Sequence, residues 1–242
     1  MKNTYRFFVA PEAIGDGSAL IEDRDLLRQW SSVLRLRPGS QVALLDGSGL
    51  EHTVELLELG KNAASCRILA SAPSRGEPAA RVELYVALTR GERFEWVLQK
   101  GTELGASAFV PLLCERSQAG EAKAERWGRI IREAAEQSGR GRLPELRAPL
   151  RFAAALAAAP AGILLAEHSS AVSFKAALDP DGGGCAIWSG PEGGWSDGEL
   201  AAASAAGLAL ATLGPRILRA ETAPVAALAA AMFAMGEWER GG

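Results

Sequence analysis

The stretch from Cys185 to Ala231 constrains this chain more than any other part of it. There C-A-I-W-S runs into G-P-E-G-G-W and a helix, and L-A-L-A-T-L then runs into G-P-R-I-L-R-A-E-T and a second helix. A strand, a Gly-Pro loop and a helix therefore occur twice in succession. In the first unit the strand is expected to end at Ser189, and Ser196-Asp197-Gly198-Glu199 has the spacing of an N-terminal capping box. In the second, a strand over Leu208 to Leu213 leads through Gly214-Pro215 to a helix starting near Thr222, a good N-cap. Pro224 falls in the first turn of that helix, where its missing N–H costs nothing.

Both loops are expected to leave the carboxyl ends of neighbouring parallel strands, where open α/β sheets bind their ligands. Gly190, Gly193, Gly194 and Gly214 allow close backbone approach or positive φ, and Pro191 and Pro215 stiffen the loops. Backbone from Gly190 to Gly194 and from Leu213 to Leu218 would then do most of the binding. The same residues also make ordinary tight turns. What favours a site is the repetition one helix apart, with Arg216, Arg219 and Glu221 in the second loop.

At 242 residues the chain has room for a small domain followed by a medium one. Tyr5 to Val9, Gln41 to Leu45, Glu51 to Leu59 and Ala63 to Leu69 read as short strands separated by turn residues, with one helix from about Asp23 to Leu34. This pattern predicts a small β-barrel over residues 1–73. Ala72 to Ala80, with two prolines and a glycine, breaks any periodic element and reads as a linker. A β-α-β pattern follows: Val82 to Thr89, a helix from about Glu92 to Leu104, and Ala108 to Leu113. Residues 74–242 are accordingly expected to form an α/β domain with a parallel sheet. Gly101 lies inside that helix at a cost of about 1 kcal/mol against alanine, so close packing is expected there.

A long helix is expected from Glu121 to Ser138, with Trp127, Ile130, Ile131, Ala134 and Ala135 on its core face and Gly139 as its C′ residue. The last helix, Ala223 to Glu237, is apolar almost all round and calls for burial, with a second subunit as its expected cover. His168, in the polar Glu167-His168-Ser169, reads as a helix cap rather than a base. His52 reads as part of a strand.

Three cysteines, odd in number and far apart, support neither a disulfide framework nor a zinc site, and no metal is expected. No signal-peptide pattern and no apolar run of about 20 residues occur, which points to a soluble protein of the cytoplasm without a membrane partner. The net charge of −3 argues at first against nucleic acid. Its distribution softens that objection: residues 1–75 carry nine basic and nine acidic side chains, residues 76–150 twelve and eleven, and residues 151–242 five and nine. RNA binding would rest on local arginines. Dinucleotide, P-loop, H-E-x-x-H and nucleophile-elbow motifs are all missing.

G-P-E-G-G, L-G-P-R-I-L-R-A-E-T and the upstream Q-K-G-T-E-L-G closely resemble the family of ribosomal RNA small subunit methyltransferase E, over nearly the whole chain and in the right order. The resemblance implies a PUA-like RNA-binding barrel followed by a SPOUT-type α/β domain whose C-terminal chain is tied in a deep trefoil knot. It also implies a homodimer that holds S-adenosylmethionine (SAM) and methylates N3 of a uridine in 16S rRNA, within the small ribosomal subunit and near its decoding centre. The implied cofactor residues are Gly190, Pro191, Glu192, Gly193, Gly194, Leu213, Gly214, Ile217 and Leu218. Arg6, Lys100, Arg116, Arg140 and Arg216 are the implied RNA contacts.

Methyl transfer to a uracil nitrogen needs an in-line nucleophile and stabilisation of the resulting anion, a role that suits Arg219 or Arg6. Glu221 would take the N3 proton or orient an arginine, and the second role suits a carboxylate beside guanidinium groups better. Pro224 and the Trp30-Ser31 pair depart from the family's usual pattern. Two further readings stay open: an RNA-binding assembly factor without catalysis, and an α/β enzyme acting on a small phosphorylated substrate.

Overall fold

The computed structural model describes residues 5–117, 123–158, 161–167 and 171–239. It divides into two compact units, Met1–Glu77 with Ala135–Leu143, and Pro78–Ala134 with Pro144–Gly242.

The first unit is built on β1 (Arg6–Phe8), β2 (Ser18–Ile21), the short helix α1 (Arg24–Arg28), β3 (Gln41–Leu45), β4 (Leu50–Leu59) and β5 (Ala64–Pro73). The strands lie in the order β1-β3-β4-β5-β2; β1 runs parallel to β3 and the other pairs are antiparallel. Among the described residues the hydrogen-bonded path ends at β1 and β2 without joining them, so the pairing described leaves the expected barrel open. Alternation in β4 puts His52, Val54 and Leu56 on the buried face. His52 satisfies its ring there, with Nδ1 2.8 Å from Ser71 Oγ and Nε2 3.5 Å from Asp46 Oδ2.

The helix expected from Asp23 to Leu34 is split. Asp23 caps α1, its Oδ1 accepting from Asp25 N–H and Leu26 N–H at 2.9 and 3.1 Å. A single π turn over Gln29–Val33 then carries the buried Trp30 against Phe7, their ring centroids 5.4 Å apart.

Ala135–Leu143 belongs with this unit rather than with the α/β domain to which residues 74–242 were assigned. Glu136 Oε1 accepts from Phe8 N–H at 2.9 Å, and Ser74 Oγ donates to Gly139 O at 2.6 Å. Arg140, expected on an RNA-facing loop, is instead only 2% exposed, its Nη2 2.8 Å from Glu77 Oε1. A guanidinium this deeply buried requires a carboxylate, and Glu77 supplies it.

The second unit carries an eight-stranded sheet in which every pair is parallel. In chain order its elements are β6 (Arg81–Ala87), α2 (Arg93–Glu103), β7 (Ala108–Leu113), α3 (Ala124–Ser138, of which the part to Ala134 belongs to this unit), β8 (Glu145–Leu146), β9 (Leu150–Arg151), α4 (Phe152–Ala158), β10 (Gly162–Leu165), β11 (Val172–Ser173), α5 (Phe174–Ala177), β12 (Gly184–Ser189), α6 (Asp197–Ala205), β13 (Ala209–Thr212) and α7 (Thr222–Ala234). The strands are short apolar runs because both faces of the sheet are covered. On one face Val82, Leu84, Val86 and Ile187 pack with Phe94 and Leu98 of α2, Trp127 of α3 and Leu228 of α7. On the other, Tyr85 and Trp188 stack with centroids 4.2 Å apart, joined by Phe152 of α4 and Ala203 of α6.

The sheet order is β11-β13-β10-β12-β6-β7-β8, with β9 also on β7. The two strands that feed the Gly-Pro loops are therefore not the neighbours that the sequence led one to expect. β10 lies between them, in register with both.

The last helix is also displaced from expectation. Thr222 is its first helical residue, and Glu221 stands at the cap without a side-chain bond. It ends at Ala234, and Gly236 at φ 73° follows. Pro224, Ala227, Leu228, Ala231 and Met232 are buried, whereas Phe233 is 64% exposed.

Gly101 meets the close packing its position implied: a Cβ there would lie 2.6 Å from Phe109 Cε1 and 3.2 Å from Leu84 Cδ1. Overpacking outweighs the helix-propensity gain of about 1 kcal/mol, so Gly101→Ala is expected to destabilise by about 1–3 kcal/mol in urea unfolding. A stabilised variant would contradict this packing.

Candidate active site

β12 ends at Ser189, and the chain turns at once beneath the indole of Trp195. A Cβ on Gly190 would lie 2.9 Å from Trp195 Cε2, so only glycine fits. Trp195 Nε1 donates to Leu165 O at 2.9 Å, which ties this loop to the end of β10. On the far side of the loop the capping box forms as expected. Ser196 N–H donates to Glu199 Oε2 at 2.9 Å and Glu199 N–H to Ser196 Oγ at 3.2 Å.

The other carboxylate oxygen of Glu199 accepts from Glu115 N–H at 2.9 Å, just beyond β7. Next to it, Arg116 Nη1 donates to Gly193 O at 3.2 Å and to Trp195 O at 3.1 Å. The first loop is thus held by β10, by α6 and by the segment after β7.

The second loop turns at Gly214, whose φ of 108° is closed to side-chain-bearing residues, and Thr212 Oγ1 accepts its N–H at 3.2 Å. Beyond it Ile217 is 84% exposed.

The two loops enclose a cleft of about 580 Å³ with the end of β10 between them. Gly190, Pro191, Glu192, Gly194, Leu213, Ile217 and Leu218 line it, as do Arg216, Arg219 and Glu221. Gly193 and Gly214 do not line it: the first packs on Arg116 and the second shapes its turn. Leu165, Ala166 and Glu167 also line the cleft, a role hidden in the sequence because it follows from β10 lying between the loop strands. His168 lies outside the described residues.

Glu221 is the most informative side chain in the cleft. It is 16% exposed, with Oε1 4.0 Å from Arg219 Nη1, the outer limit of an ion pair. Arg219 itself is 82% exposed, so solvent screens the contact. Glu221 Oε2 is buried and has no hydrogen-bond partner among the described residues. An enclosed carboxylate oxygen without a donor is costly, and a ligand with an N–H or O–H group would satisfy it.

Other expected contacts lie elsewhere. Arg6 belongs to the first unit, where its Nε donates to Glu51 Oε2 at 2.8 Å. Lys100 pairs with Glu103 at 2.8 Å along α2 and does not line the cleft. Burial, with a smaller push from the Glu199 charge, raises the Cys114 thiol to about 12, and burial raises Cys185 to about 11. Neither supplies a thiolate at neutral pH. Among the described residues no cluster of His, Cys, Asp and Glu could hold a metal ion. The cleft is equipped to position a ligand by backbone, apolar contact and a few charges.

Comparison with known proteins finds one family model in each part of the chain, that of the second part running unbroken through Ala135–Leu143. The family model of an RNA methyltransferase domain matches residues 76–232, and that of an RNA methyltransferase PUA domain matches residues 32–69. Ribosomal RNA small subunit methyltransferase E of Synechocystis sp. is 38% identical over 233 residues, covering 93% of this chain and 76% of its own. Its counterpart in Bacillus subtilis is 33% identical, covering 84% and 85%. Among solved structures, ribosomal RNA small subunit methyltransferase E from Neisseria gonorrhoeae, bound to S-adenosyl methionine, has a TM-score of 0.87 at 33% identity over 96% of this chain and 98% of its own. A putative methyltransferase from Legionella pneumophila in complex with SAM gives 0.86 at 30% identity over the same shares.

Proposed function

The chain belongs to the family of ribosomal RNA small subunit methyltransferase E, and from that premise we propose that it methylates N3 of a uridine in 16S rRNA with SAM as donor. The substrate in this reading is the small ribosomal subunit near its decoding centre. The observation that carries the donor site is the unpartnered, buried Oε2 of Glu221 in a cleft of ligand size.

The residues present fit SAM. Leu165, Leu213, Ile217 and Leu218 offer apolar surface to a flat base and to the methylene groups beside the sulfonium, and the backbone of the two loops offers polar groups at fixed positions. Glu221 offers an acceptor to a cofactor rich in donors, namely an ammonium group, an amino group and ribose hydroxyls. Bound SAM supplies an electrophilic methyl group on a positively charged sulfur.

Everything else falls to the chain. Arg219, free in solvent at the rim of the cleft, meets the negative charge that grows on uracil as N3 loses its proton. Arg6 serves the RNA in the PUA-like unit, and Lys100, Arg116 and Arg216 add RNA contacts. With Arg219 held only weakly, Glu221 serves as a donor-binding or proton-accepting group rather than as an orienting one. The C-terminal chain forms a deep trefoil knot in this reading. Its support is that β13 pairs on the far side of β10 from β12 while the loops after both strands line one cleft.

The protein acts in the cytoplasm as a homodimer, with the exposed Phe233 of α7 in the interface. Light scattering is expected to give the mass of two chains at micromolar concentration; the mass of one chain would contradict the dimer.

The decisive experiment pairs calorimetry with transfer to isolated small subunits. Gly214→Val cannot hold φ near 108° and is expected to abolish SAM binding while far-UV dichroism stays native. Arg219→Lys and Arg6→Ala are expected to keep SAM affinity but lose about 2–4 kcal/mol of transition-state stabilisation, roughly 30- to 1,000-fold in rate. Wild-type SAM affinity in Gly214→Val would overturn the donor site, and full activity of either arginine variant would remove that residue's role.

A further inference from the structure

A second cleft, of about 530 Å³, opens beside the first, bounded by the segments that follow β6, β7 and β12. Three arginines line it: Arg90 and Arg93 after β6, and Arg116 after β7. Arg93 and Glu192 line both clefts, so the two are continuous.

The charge balance within the cleft is decisive. Its two acidic residues already face cations: Glu192 Oε1 lies 2.6 Å from Arg93 Nη1, and Glu92 Oε1 lies 3.5 Å from Arg126 Nη2. Arg116 spends Nη1 on the neutral carbonyls of Gly193 and Trp195 and forms no ion pair among the described residues. Arg90 is exposed and forms no ion pair among the described residues. Two positive charges without carboxylate partners among the described residues thus face an open cleft, in a chain whose net charge is −3.

Guanidinium forks match the oxygens of a phosphate in shape and charge, and the cleft's two glutamates are already engaged by arginines, so the charge left over in it is positive and suits an anion. We infer that the cleft bounded by Arg90, Arg93 and Arg116 seats a backbone phosphate of the RNA substrate, flanking the nucleotide whose base enters the first cleft. The inference rests on the methyltransferase reading. The shared Arg93–Glu192 pair joins the seat to the glycine loop, so a phosphate that draws on Arg93 also loosens its hold on Glu192.

The test measures binding of the full-length protein to small ribosomal subunits from cells lacking it, at fixed magnesium and varied KCl. Removing one arginine–phosphate interaction makes the slope of log K against log salt shallower by about 0.7–0.9. Arg90→Gln, an exposed change outside the first cleft, is expected to weaken binding about three- to tenfold and to flatten the slope by that amount. Arg90→Glu is expected to weaken it further, Arg90→Lys to keep the slope, and all three to bind SAM as the wild type does.

An unchanged slope in both Arg90→Gln and Arg90→Glu overturns the phosphate seat. Orthophosphate that binds the free protein through Arg90, while the Arg90 variants bind subunits as the wild type does, would make this a site for free phosphate and overturn the RNA assignment. Methyl transfer by the wild type, measured on the same subunits, reports on the donor reading separately. If transfer is seen and the slopes do not change, only the seat fails; if the slope flattens as expected without transfer, only the donor reading fails.

Discussion

A single hydrogen bond, from Trp195 Nε1 to Leu165 O, decides where the first loop can lie. It joins the chain after β12 to the end of β10, the strand on which β13 is also paired. Its partner is a backbone carbonyl at a strand end, fixed by the sheet itself. The bond satisfies a buried indole N–H, and because the ring lies against Gly190, no side chain is tolerated there. The cleft is the space left once this bond, the Glu199 cap and the Arg116 bridges have fixed one wall.

That wall is rigid and largely satisfied, whereas the opposite wall is not. Arg219 and Ile217 stand in solvent, Gly214 turns through a conformation reserved for glycine, and Glu221 keeps one enclosed oxygen without a donor. A site with one satisfied wall and one wanting partners is arranged for ligands to complete. The thiols contribute nothing to it, since burial holds Cys114 and Cys185 in their protonated form.

Much of this was legible in the sequence where the determining interactions are local. Gln41–Leu45 and Ala108–Leu113 form as their apolar runs indicate, the capping box at Ser196 closes, and Gly101 sits against Phe109 as its helical position implied. What was not legible depends on distant partners. The buried state of Arg140 follows from Glu77, 63 residues upstream, and a basic residue after a helix reads as solvated without that knowledge. The insertion of β10 between the loop strands brings Leu165, Ala166 and Glu167 to the cleft, and no periodicity encodes the order of strands in a sheet. The π turn at Gln29–Val33 answers to Trp30, whose burial beside Phe7 is tertiary.

The central claim is that the cleft between the two glycine loops directs methyl transfer to a uracil nitrogen. Small ribosomal subunits from cells lacking the protein would be incubated with the purified chain and SAM labelled in its methyl group, and the 16S rRNA digested to nucleosides for mass spectrometry. The account predicts that the label appears in 3-methyluridine alone, at no more than one methyl group per 16S rRNA. Label on a ribose hydroxyl or on another base, or no label despite SAM binding, would contradict it.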